Sequence, residues 1–143
     1  MLGTWARPVL EDLVSELGES ANLAALDGER AVYIGQVFSN HSMRMLTEVG
    51  CRVYLHCTGV GRAILSLLSD EQVSALVTRT GMPPQTPRTM TDPEELIAAL
   101  DRIRRDGFAI DEGEHEVGVH CVPSPSPAPA PGWPYRCPVR LLA

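Results

Sequence analysis

Two groups of residues in this chain have the types and spacing for chemistry. The first is Thr58-Gly59-Val60-Gly61, which follows the β-like run Val53 to Leu55 and opens an amphipathic helical stretch, Gly61-Arg62-Ala63-Ile64-Leu65. A strand-to-helix junction of this kind can hold a small anion. Thr58 suits the N-cap, and Gly59 has no side chain to keep a ligand from the unpaired N–H groups of the first turn. The plainer reading is that the glycines allow close packing of strand on helix. The second group comprises His56 beside Cys57, His120 beside Cys121, and the acidic run Asp111, Glu112, Glu114 with His115. Adjacent residues on a strand point to opposite faces, so neither His-Cys pair converges on one metal. The acidic run reads as a solvated turn between strands. Arg102, Arg104 and Arg105 could resemble a phosphate patch, but at a helix C-terminus they complement the dipole.

These residues sit in a chain of 143 residues with 44% hydrophobic content, enough for one domain with a proper core. No apolar run approaches the roughly 20 residues of a membrane span, and Met1 to Arg7 lacks the layout of a signal peptide. A soluble, cytoplasmic protein is expected. The net charge of −6 and only 12 basic residues, all Arg, argue against nucleic-acid binding by this segment. Cys51, Cys57, Cys121 and Cys137 show no C-x-x-C spacing and are expected as free thiols in a reducing compartment. No metal or cofactor is expected.

The elements follow from periodicity and punctuation. Val9, Leu10, Leu13, Val14 and Leu17 form a helical stripe over Pro8 to Leu17, with Pro8 in the first turn and Gly18 just past the end. Ala21 to Leu26 and Ala31 to Val37 read as strands joined at Asp27-Gly28. Ser42 to Leu46 and Arg52 to Leu55 are weaker strands. Ser69 with Gln72 makes a capping box for a helix over Asp70 to Thr78, and Thr80 to Thr91 is a Pro-rich loop. Asp92, Pro93 and Glu95 start a further helix with Leu96, Ile97, Leu100 and Ile103 inward, stopped by Gly107. Phe108 to Ile110 and Val117 to Val122 read as two more strands.

From Pro123 onward the composition changes: seven of the chain's 12 prolines lie at 123, 125, 127, 129, 131, 134 and 138. Such a tail reads as extended polyproline or a disordered linker and not as a central strand.

The order of several segments resembles the effector-binding domain of the IclR family of bacterial transcription regulators. They are Glu19 to Gly28, Met43-Arg44-Met45, Gly50, Leu55 to Ala63, Thr91 to Leu96, Ile103 to Glu114 and Gly118 to Cys121. The resemblance implies an α+β fold of the GAF-like sensor type, a curved antiparallel sheet flanked by helices, with a small-molecule cavity between them. It implies effector sensing in transcription regulation and no enzymatic activity. The effector cavity would be lined by Ser42, Met45, Val53, Gly59, Val60, Asp111, Val117, Val119 and Cys121. A small organic or aromatic acid suits that set: helix N–H groups take the carboxylate, valines exclude water, and Asp111 or Cys121 meets a hydroxyl or carbonyl. Val60 is bulky for its place and narrows the pocket. Partners would be a second copy or an intact IclR-type regulator, with neither DNA nor membrane bound directly. The rival readings are a small hydrolase using Cys57 or Cys121 with His56 or Asp111, and a dominant-negative oligomerisation partner.

Two departures from the family pattern accompany the resemblance. The winged helix-turn-helix that reads DNA is expected to be missing from this chain, with residues 1–18 expected as a remnant of the interdomain linker helix and 19–122 as a partial effector-binding domain. Residues 123–143 replace two hydrophobic strands, an Ala-x-Ser-x-Ser-Gly-Pro motif and a final helix, so the fold is expected to be incomplete at the C-terminus. Read two bases forward, the codons of Gly132 to Arg140 force Ala and then permit Val, Ser, Val, Ser, Gly and Pro. A reading-frame slip after about Val122 is therefore expected, with an open core and poor stability as its consequence.

Overall fold

The computed structural model describes residues 2–40, 48–112, 120–125 and 136–142, with side chains for 6–40, 48–111, 122, 123 and 125. The sheet is built outward from one hairpin. Strands β1 (Ala21–Asp27) and β2 (Arg30–Val37) pair antiparallel with Asp27 opposite Arg30. The connecting Gly28 has φ +63°, the positive value that the primed two-residue turns require. A bulge lies between Leu23, which faces Gly35, and Ala24, which faces Tyr33. Strand β3 (Arg52–Val53) extends β2 on its free side, and Ser42 to Leu46 falls outside the described residues.

Helix α1 (Leu2–Leu17) starts before the expected Pro8, which lies inside it. Proline at that point removes one helix hydrogen bond and crowds the carbonyl four residues earlier. The helix continues because Ala6 and Leu10, one turn apart, are buried with Ala21 and Leu23 against one face of the sheet. Tertiary packing overrides the local signal.

The other face carries three helices. Helix α2 (Gly59–Leu65), helix α3 (Asp70–Thr80) and helix α4 (Pro93–Asp106) enclose the main core with Ala24, Ala31, Tyr33, Val53 and Leu55 of the sheet side. Their ends follow the sequence chemistry. Ser69 and Gln72 form the reciprocal capping box, and Asp92 accepts from the Glu94 N–H with Pro93 in the first turn. Gly107 closes α4 at φ +81°. Arg104 donates to the carbonyls of Ser66 at 3.0 Å and Leu68 at 2.8 Å, capping the chain as it leaves α2. That engagement supports a structural role for this member of the Arg run.

The Pro-rich end departs most from expectation. Strand β4 (Asp111–Glu112), strand β5 (His120–Pro125) and strand β6 (Arg136–Leu142) complete a six-stranded sheet in the order β3-β2-β1-β6-β5-β4. β6 pairs antiparallel with both β1 and β5, so a tail segment does supply an internal strand. Register explains how the prolines are tolerated. The Ala109 N–H donates to the Pro123 carbonyl at 2.8 Å, which makes this pair a hydrogen-bonded one. Alternation then turns residues 121, 123 and 125 toward the β4 side and residues 122 and 124 toward β6. Prolines two apart remove donors from one neighbour only. Pro138 falls where the β1–β6 register shifts, between the pairs Ala24–Val139 and Leu26–Arg136, and a bulge tolerates a missing donor. Residues 126–135 lie outside the described residues.

Candidate functional site

The turn before α2 is built by three hydrogen bonds. Thr58 Oγ1 donates to the Tyr54 carbonyl at 2.6 Å and accepts the Gly61 N–H at 3.1 Å, while the Thr58 carbonyl starts the helix by accepting from Arg62 at 3.0 Å. Every residue of α2 is buried. The two glycines serve different ends. A Cβ on Gly61 would overlap the Leu55 backbone, so Gly61 is present because strand and helix approach too closely for any side chain. Gly59 faces the opposite way, toward Asp111 and Pro123.

Asp111 closes the arrangement from the far edge of the sheet. Its side chain accepts the Gly59 N–H at 3.2 Å, and the residue is only 6% exposed. The Gly59 N–H, expected to be open to a ligand anion, is thus engaged by the chain's own carboxylate. Arg62, 4% exposed, donates to the Ile110 carbonyl at 2.8 Å and fixes the approach to β4 from the same helix. Asp111 is paired across the sheet with Cys121, and Pro123 lies one pair further along, beside Ala109.

Of the residues expected to line a cavity, Gly59 and Asp111 are brought into direct contact. Val53 and Val60 are both buried in the main core, where the plain packing reading accounts for them. Cys121 is placed by its backbone opposite Asp111, and its side chain lies outside the described residues, as do Ser42, Met45, Val117 and Val119. Pro123, whose side chain is fully buried, carries no sequence signal for the site, because the proline alternation around it reads as extended polyproline or a disordered linker. Asn22 is a buried strand residue whose Oδ1 meets no hydrogen-bond partner among the described residues. A cavity of about 270 Å³ opens beyond α4, lined by Arg62, Met90, Ile103, Phe108 and Ile110 among others, and collects none of the expected effector residues.

The hydrolase candidates are engaged otherwise. His56, 2% exposed, donates its Nε2–H to the Pro83 carbonyl at 3.0 Å and meets Tyr54 edge-on. Cys57 is fully buried.

The profile of the family described as Bacterial transcriptional regulator IclR C-terminal matches residues 2–126. The chain belongs to this family. The IclR-type domain is 35% identical over 119 residues to the HTH-type transcriptional repressor AllR of Escherichia coli K12, covering 83% of this chain and 44% of that protein. It is 38% identical over 119 residues to the Transcriptional repressor IclR of the same organism, covering 82% and 43%. The chain therefore spans under half the length of the curated relatives it matches. The crystal structure of the Thermotoga maritima IclR superposes with a TM-score of 0.85 at 30% identity, over 96% of this chain and 54% of that one. An IclR homologue from Microbacterium hydrocarbonoxydans, crystallised with 4-hydroxybenzoate, shares the fold at a TM-score of 0.81 and 22% identity, over 96% and 55%. The α+β architecture with helices on an antiparallel sheet is that of the family.

Proposed function

We propose that the IclR-type domain is the small-molecule sensor of a bacterial transcription regulator and that it does not catalyse a reaction. The observation that carries this reading is the contact between Gly59 and Asp111. They are far apart in sequence, yet they meet on the face where helix α2 covers the β4–β5 edge. A buried carboxylate bonded to a helix-start amide is a polar point in an apolar layer, the composition of a selective small-molecule site. The relatives' description as transcriptional repressors, and the 4-hydroxybenzoate held by one structural neighbour, support a small organic acid as effector.

The hydrolase reading is disfavoured by the burial of Cys57 and the engagement of His56 with Pro83. Signal output is proposed to pass through a second copy of the chain or an intact regulator, in the cytoplasm. Among the described residues no helix is long and apolar enough to cross a membrane.

Calorimetric titration of the purified chain with glyoxylate, pyruvate, benzoate and 4-hydroxybenzoate tests the sensor reading. Saturable heat with at least one acid, abolished by Asp111→Ala in a variant that still melts cooperatively, is the expected result. Silence from all four acids would overturn it. Co-purification with a full-length relative separates a sensor that joins intact regulators from an inert fragment.

A further inference from the structure

We propose that Pro123 is a specificity-determining residue: its ring closes the Gly59 side of the site and restricts this domain to effectors smaller than an aromatic acid. The inference rests on the sensor reading above. A Cβ built on Gly59 would lie 2.9 Å and 3.0 Å from Pro123 Cγ and Cδ and 3.1 Å from Asp111 Cβ. The face of Gly59 that could admit a ligand is thus already in contact with the proline ring. An atom placed between Gly59 Cα and that ring would need about 3.5 Å of clearance on each side. No such gap exists.

The backbone holds the ring where it is. Ala109 donates to the Pro123 carbonyl at 2.8 Å, and on the opposite side residue 123 is in register with Leu141 of β6, which is itself opposite Asn22 of β1. A residue fixed by neighbours on both sides cannot swing aside without unzipping the sheet. The Pro123 side chain is fully buried, and Asp111 engages the Gly59 N–H beside it.

The test is titration of glyoxylate and 4-hydroxybenzoate into the full chain and into Pro123→Ala. The variant regains an N–H on the side of the Ala109 carbonyl, so the sheet is expected to persist, and a far-UV melt checks this. Glyoxylate should bind both proteins within about threefold, and 4-hydroxybenzoate should gain about tenfold or more in the variant, the effect of one or two methylenes of pocket space. Pro123→Val, which keeps the bulk, should gain nothing. If Pro123→Ala does not melt cooperatively, Pro123→Ser supplies the trimmed side chain. Wild-type binding of 4-hydroxybenzoate as tight as the variant's, or glyoxylate binding with no gain for the aromatic acid, overturns this inference alone. Absence of binding by both acids to all of the proteins overturns this inference, and silence from pyruvate and benzoate as well overturns the sensor reading with it.

Discussion

The backbone N–H of Gly59 donates to the Asp111 carboxylate at 3.2 Å, joining the first turn of α2 to the start of β4. One bond between residues distant in sequence links the helix that roofs the sheet to the strand at its edge. A group bound there would act on both elements at once.

Asp111 is therefore expected to contribute to stability as well as to binding. Asp111→Ala leaves the Gly59 N–H without its carboxylate in a buried setting, and should lower unfolding free energy by about 1–3 kcal/mol. Asp111→Asn keeps an acceptor oxygen and should cost less. Urea denaturation of the three proteins gives the order, and an Asn variant less stable than the Ala variant would contradict the assignment.

Gly61→Ala should be worse than any change at Asp111. Its new Cβ would fall on the Leu55 backbone and 2.6 Å from Thr58 Oγ1, and backbone cannot yield as a flexible side chain can. Overpacking of this kind costs about 3 kcal/mol or more, enough to take the domain close to unfolding. Thermal melts should show Thr58→Ser near wild type, Thr58→Ala lower by about 1 kcal/mol, and Gly61→Ala lowest.

How much of this was legible in the sequence depends on how local each signal is. Thr58 as N-cap, the Ser69–Gln72 box, Asp92 with Pro93, and Asp27-Gly28 are each recognised within about four residues, and all form. The Gly59–Asp111 contact has no local signal; only the family resemblance placed both residues at one site. Pro8 misplaced the start of α1 because its local cost is offset by Ala6 and Leu10 against the sheet. The proline alternation misled most. Whether a strand tolerates proline depends on which neighbour each N–H faces, and that is fixed by register, which sequence spacing alone does not contain.

Arg104 tests the structural reading of the basic run. Its guanidinium spans the Ser66 and Leu68 carbonyls and the carboxylates of Asp70 and Asp101. Much of that ion pairing is exposed and weak, so the carbonyl bonds should dominate. Arg104→Ala should cost about 1–2 kcal/mol, and Arg104→Lys should recover little, because a point charge cannot bridge the carbonyls as the planar fork does. Full recovery by Lys would show that charge alone matters.

The last prediction concerns the proline-rich end. β6 separates β1 from β5, so deleting residues 136–143 should unpair both neighbours and abolish the cooperative melt. The pairing rule predicts a sharper contrast at two adjacent positions. Residue 124 presents its N–H to β6 opposite Arg140, whereas residue 125 turns away from β6. Ser124→Pro should therefore cost about 1–3 kcal/mol by removing a central ladder bond, and Pro125→Ala should change little. Melting temperatures of the two variants decide it: equal effects would mean that residues 136–142 do not pair with β5. The segment that forms β6 also overlaps Gly132 to Arg140, the stretch whose shifted codons permit the Ser-x-Ser motif. Resequencing the source DNA should show whether the strand position kept its place while its reading frame changed. An intact frame would assign these prolines to the natural strand, and the Ser124 and Pro125 contrast would then describe the native sheet.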